Sequence, residues 1–153
     1  MNPSIFKIDD FPSIYINPPN DRYIKIIAAP QINGYENATV VVADIPPGGG
    51  TGLHSHPESD EIIYPMACGE CTLGDEKLKM ETGTIIIVPK GTEHEFRNNS
   101  EVGDLRIVCL FVPPLKSTGW LHDYAIAIRH NITNRKTIGK RARREAVHGD
   151  DLD

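Results

Sequence analysis

His54 and His56 stand two residues apart, and Glu61 follows after four intervening residues. On a strand, positions i and i+2 face the same side, so both imidazoles project into one space. About 40 residues further on, His94 sits in an ordered run with Gly83, Pro89, Gly91 and Asn98. Imidazole and carboxylate together suit borderline first-row divalent ions. A lone histidine on a strand is more often surface or core filler, and His122, His130 and His148 are read that way. Gly48-Gly49-Gly50 resembles a phosphate loop only superficially, because no Lys-Ser/Thr follows it.

Short apolar runs separated by turn residues must carry these groups. Ile14–Asn17 ends at Pro18-Pro19, Tyr23–Ile27 runs on towards Pro30, and Thr39–Asp44 leads to Pro46-Pro47. Glu61–Tyr64 meets Pro65. Thr72-Leu73 and Lys77–Met80 flank Gly74-Asp75-Glu76, a hairpin signal. Thr84–Val88 stops at Pro89, Glu95–Asn98 at Asn99-Ser100, and Leu105–Val112 at Pro113-Pro114. Closely and regularly spaced strands of this kind predict an all-β sandwich or barrel.

The two histidine runs resemble the paired motifs of the cupin family. Gly83, Pro89, Gly91, His94 and Asn98 match the second motif at every fixed position. Gly48, His54, His56 and Glu61 match the first, but its closing glycine, Gly69, follows Glu61 after seven intervening residues instead of six. Pro65 is the expected extra residue, at a bulge, and Asp60 remains a weaker alternative to Glu61 as the carboxylate. The resemblance implies a double-stranded β-helix, or jelly-roll, barrel that holds one divalent transition metal (Fe, Mn, Ni, Co, Cu or Zn) through His54, His56, Glu61 and His94. Three chance histidines would not fall into two correctly spaced motifs. Cupin barrels usually pair, so a homodimer is expected, with the apolar edge Ile14-Tyr15-Ile16 covered.

The expected organisation is an N-terminal edge segment over residues 1–19, a barrel over 20–115 and a basic C-terminal extension over 116–153. Residues 119–130 are read as a last strand or a short helix, and 134–147 as a peripheral tail. Residues 1–128 carry 9 Lys/Arg against 17 Asp/Glu, and residues 129–153 carry 7 against 4. The acidic body argues against nucleic acid as a partner. No apolar run approaches the ~20 residues of a membrane helix, and the N-terminus lacks a signal-peptide pattern, so a cytoplasmic location is expected. Cys68, Cys71 and Cys109 are an odd set, and Cys68-Gly69-Glu70-Cys71 lies among strands rather than at a helix start, which argues against a redox motif.

Alternation places Phe96 and Asn98 on the side of His94, and Ile63 on the side of Glu61. Phe96 and Ile63 are therefore expected to line a substrate site, with Ile86 and Val88 in its wall. Tyr64, Glu93 and Arg106 are the nearest acid/base or anion-binding candidates and are expected to face solvent or a partner. No inward Lys or Arg is identified. The expectation is a metal-dependent enzyme whose small oxygenated substrate chelates the ion, of dioxygenase or lyase/decarboxylase type. A non-catalytic, sugar-like binding or sensor module and a metal-dependent sugar or sugar-acid isomerase are the alternatives, because the fold alone does not set the chemistry.

Overall fold

Strand-forming residues alternate most strictly over Leu105–Val112. Leu105, Ile107, Cys109 and Phe111 are buried, and the residues between them are not, as period-2 patterning requires when one face meets a core. The computed structural model describes residues 4–116, with 121–122, 124–126, 128 and 147–148.

The strands are β1 (Ile14–Ile16), β2 (Arg22–Ala28), β3 (Thr39–Ile45), β4 (Asp60–Pro65), β5 (Gly69–Leu73), β6 (Glu76–Met80), β7 (Ile86–Val88), β8 (His94–Arg97), β9 (Leu105–Val112) and β10 (Val147–His148). One sheet has the order β10-β1-β2-β3-β9-β4-β7, and the second has β6-β5-β8. The protein is thus an all-β double-stranded β-helix. Isolated bridges Gly50↔Arg97 and His54↔His94 fasten the chain between β3 and β4 to β8. The inner faces meet in a core that includes Ile26, Ile45, Ile63, Phe96, Leu105 and Ile107. The expected hairpin is present, with β5 and β6 paired from Gly69↔Met80 to Leu73↔Glu76 and Gly74 at φ +58° in the turn.

Pro65 does not form the expected bulge. The β4–β9 register runs unbroken from Asp60↔Val112 to Pro65↔Ile107. Met66 N donates to Arg106 O at 2.8 Å, so by alternation the nitrogen of Pro65 faces the opposite edge. There β7 has already ended its pairing, at Ile63↔Ile86, and the missing N–H leaves no acceptor unpaired. The longer spacing to Gly69 is taken up in the bend at residues 66–68. Glycine at 69 has its own cause: a Cβ would lie 2.7 Å from Leu105 Cδ2 and 2.8 Å from Arg97 O.

The described helical residues of the C-terminal extension pack against the barrel. Residues 121–122, 124–126 and 128 are helical, with Leu121, Tyr124, Ala125 and Ile128 buried. Tyr124 Oη accepts from Ile26 N at 3.0 Å and donates to Pro12 O at 2.8 Å. β10 pairs parallel to β1, so β1, expected as an edge strand to be covered by a second copy, has neighbours on both sides within the chain. Most of the expected basic tail lies outside the described residues. Among the described residues, no helix is long and apolar enough to cross a membrane.

Candidate metal centre

The antiparallel bridge His54↔His94 sets the two motifs side by side. Gly91 N donates to His56 O at 2.9 Å, and Gly91 turns there at φ +78°, a conformation that favours glycine. From β4, Glu61 points inward and is 3% exposed, and His94 on β8 is fully buried. One ligand atom from each of His54, His56, Glu61 and His94 falls within 4.8 Å of the others. Asp60 points the opposite way, is exposed, and accepts from Lys90 N at 2.9 Å. Geometry therefore favours Glu61 over Asp60 as the inward carboxylate.

The hydrogen bonds around the cluster fit a cation at its centre. His54 Nδ1 lies 2.8 Å from Gly52 O, and His94 Nδ1 lies 2.9 Å from Thr92 O. A carbonyl only accepts, so each Nδ1 carries the proton and each neutral ring turns its Nε2 lone pair into the cluster. His94 Nε2 then faces Glu61 Oε2 at 2.8 Å, an acceptor opposite an acceptor unless a proton or a metal ion lies between them. His56 Nε2 is buried without a hydrogen-bond partner, 3.4 Å from Glu61 Oε2. Three imidazole nitrogens and a carboxylate, one nitrogen orphaned, are a donor set suited to a borderline divalent ion.

Protonation follows the same geometry. Burial would raise the Glu61 carboxyl, but the nearby His56 and His94 rings and the Cys109 thiol outweigh it and hold the group at about 2. Burial lowers His54 to about 4, only partly opposed by the Gly52 carbonyl, so its ring is neutral at pH 7. For His94 burial also acts downward, yet Glu61 and the Thr92 carbonyl win and raise it. Burial, with the nearby Glu61 carboxylate, pushes the Cys109 thiol well up, so it stays neutral.

Phe96 and Ile63 face inward as expected, with exposures of 1% and 0%. The Phe96 ring sits 5.5 Å from that of His94. Val88 is buried and Ile86 packs against the core. Asn98 is a clip: its Nδ2 donates to Ile45 O at 2.8 Å and Gly103 O at 3.0 Å, and its Oδ1 accepts from Ser100 N at 3.0 Å. Tyr64 and Glu93 are exposed. Arg106 is paired twice with Asp44 across β3 and β9. Cys68 is exposed, Cys71 and Cys109 are buried, and all three are free.

Two groups of residues escaped the sequence reading. Phe111 meets His56 edge to face at 4.8 Å, and Cys109 reaches Glu61. Alternation along β9 could have found both. Beside His56 lies a cavity of about 340 Å³, lined also by Pro57, Glu58, Ser59, Leu115, Lys116 and Leu121. Nothing in the local sequence around Leu115, Lys116 and Leu121 signals a position beside His56.

The cupin domain family profile matches residues 41–111. Protein SchB of Streptomyces halstedii is 33% identical over 89 residues, 56% of this chain and 64% of that protein, so the match spans less than two thirds of SchB. Uncharacterized protein MJ1618 of Methanocaldococcus jannaschii is 34% identical over 92 residues, 60% of this chain and 73% of that one. Among solved structures, a predicted oxalate decarboxylase from Thermotoga maritima superposes with a TM-score of 0.64 at 16% identity, covering 72% of this chain and 99% of that chain. Motifs, barrel and relatives agree: the chain belongs to the cupin family.

Proposed function

We propose that this cupin is a metal-dependent enzyme in which His54, His56, Glu61 and His94 hold one divalent transition metal ion and a small oxygenated substrate chelates that ion. The observation that carries this reading is the inward-facing set of three imidazole nitrogens and one carboxylate within 4.8 Å, two rings of which are locked by main-chain carbonyls so that Nε2 is the free donor. The ion would supply Lewis-acid activation and a template for the substrate. The residues of the chain do the rest. Phe111, Phe96 and Ile63 make the surroundings of the cluster apolar, which strengthens electrostatic interactions inside it. The cavity beside His56 offers substrate a way in.

The reaction class proposed is dioxygenase or lyase/decarboxylase. The Thermotoga maritima protein named for oxalate decarboxylation shares the fold at 16% identity, and that likeness supports the architecture, not the reaction. A homodimer is also proposed, now on a different edge. β7 ends its sheet and leaves Ile85 and Ile87 59% and 64% exposed, an edge that a second copy could cover. Light scattering showing only monomer at micromolar concentration refutes the dimer. For the metal, elemental analysis is expected to find about one ion per chain in the wild type, given one four-donor site, and almost none in a His56→Ala/His94→Ala double variant. Unchanged metal content in that variant refutes the assignment.

A further inference from the structure

The cavity beside His56 encloses about 340 Å³, within the size range of small-molecule sites. The ring of His56 belongs to this cavity and to the metal cluster at once: it lines the cavity, while its Nε2 lies 3.4 Å from Glu61 Oε2. A group held in the cavity therefore sits against one of the cluster's own rings. Pro57, Leu115 and Leu121 supply an apolar wall. Leu121 is buried. Leu115 is fixed by its backbone, because its N donates to Oγ1 of the buried Thr39 at 3.0 Å. The wall is thus in place before any ligand arrives.

The polar groups of the wall leave it without a free charge. Lys116 Nζ donates to Glu58 Oε1 at 2.5 Å, so the ammonium and the carboxylate that border the cavity neutralise each other. Ser59, also buried, adds a hydroxyl. An ionic substituent would have to break the Lys116–Glu58 pair to find a partner, whereas an apolar one gains by leaving water. Size points the same way. A cavity of about 150 Å³ already holds a benzene ring, so this one has room for a ring and for the atoms that tie it to a chelating head. A very small acid would leave the apolar wall uncovered. Leu115, Lys116 and Leu121 all lie beyond residues 41–111 matched by the cupin profile. This side of the cavity is therefore a property of the C-terminal extension and not of the barrel alone.

We propose that the cavity is a subsite for an apolar, ring-sized substituent on the metal-chelating substrate, and that Leu115 is its specificity-determining residue. This rests on the metal reading above and names its substrate class: a chelating hydroxy- or keto-acid that carries an aryl or cyclic alkyl group.

The test titrates racemic lactate and racemic mandelate into the Co(II)-loaded full chain by calorimetry. Both are 2-hydroxy acids of the same charge, and they differ in a methyl against a phenyl group. Wild type is expected to bind mandelate about tenfold or more tightly, the scale on which several extra buried carbons act. Leu115→Trp, which fills the cavity from its wall, should lose that preference and hold lactate within about twofold, with Co(II) content unchanged, since no metal ligand is altered. Leu115→Ala, which only thins the wall, should lower the preference to about threefold, and it decides the matter if Leu115→Trp fails to fold. A wild type that takes mandelate no better than lactate, a variant that keeps the full preference, or parallel loss of both acids and of Co(II) overturns the proposal. The two readings fail separately. A chain that takes up no Co(II) yet shows a Leu115-dependent preference for mandelate loses only the metal reading, and a Co(II)-loaded chain indifferent to the phenyl group loses only the subsite.

Discussion

His56 and Leu121 border one cavity, but different physics holds them there. His56 belongs to a polar cluster whose geometry is set by directional bonds: Nδ1 contacts of His54 and His94 to carbonyls and a backbone bridge between the motifs. Leu121 belongs to a helical segment held by burial of Leu121, Tyr124, Ala125 and Ile128, and by one hydroxyl shared between β2 and Pro12. Polar geometry of the first kind needs particular residue types at particular spacings and so leaves a pattern in the sequence. Apolar docking of the second kind needs only a few side chains of suitable size, which many sequences supply.

Breaking the polar side should have the largest effect. In metal-free protein, His94→Ala strands the buried Glu61 carboxylate without its closest partner, and denaturant unfolding should show a loss of about 3–5 kcal/mol. Adding Glu61→Ala should recover part of that loss, because the orphaned charge goes with it. A strictly additive double variant would mean the two groups are not coupled.

The apolar side comes next. Leu121→Ala should destabilise by about 2–5 kcal/mol, the range for emptying a buried leucine site. Tyr124→Phe should cost about 1–3 kcal/mol by leaving Ile26 N and Pro12 O unpartnered. The tyrosine also has a pH signature. Burial raises its pKa above the ordinary 10, so its contribution is fully present below pH 10 and is lost as pH rises above it. Thermal melts of Tyr124→Phe should lack that part of the alkaline decline.

Truncation divides the extension itself. Ending the chain after residue 133 removes β10 but keeps the helical residues 121–122, 124–126 and 128, and metal content should be unchanged. Ending it after residue 116 also removes Leu121 and Tyr124, and should lower the melting temperature further and open the cavity wall beside His56. Equal melting temperatures for the two truncations would show that the helical residues do not brace the barrel. The smallest effect is expected from Asp60→Asn, which alters one exposed hydrogen bond to Lys90 N. It should change stability by no more than about 0.5 kcal/mol and leave metal content intact, whereas metal loss would return Asp60 to the ligand set.

The sequence alone determined the strands of the barrel, the inward parity of Ile63, His94 and Phe96, and the grouping of His54, His56 and His94, because strand periodicity and motif spacing are local properties of the chain. It expected a bulge at Pro65 and, at β1, a sheet edge for a second copy to cover. Both depend on which strand lies alongside, and in the fold Pro65 turns its nitrogen away from β9 while β10 flanks β1. Only the tertiary structure chose Glu61 over Asp60 as the inward carboxylate, brought Cys109 and Phe111 to the cluster, and set Leu121 beside His56. Each of these joins residues far apart in the chain, where no local pattern records the contact and only the packed core decides which side chains meet.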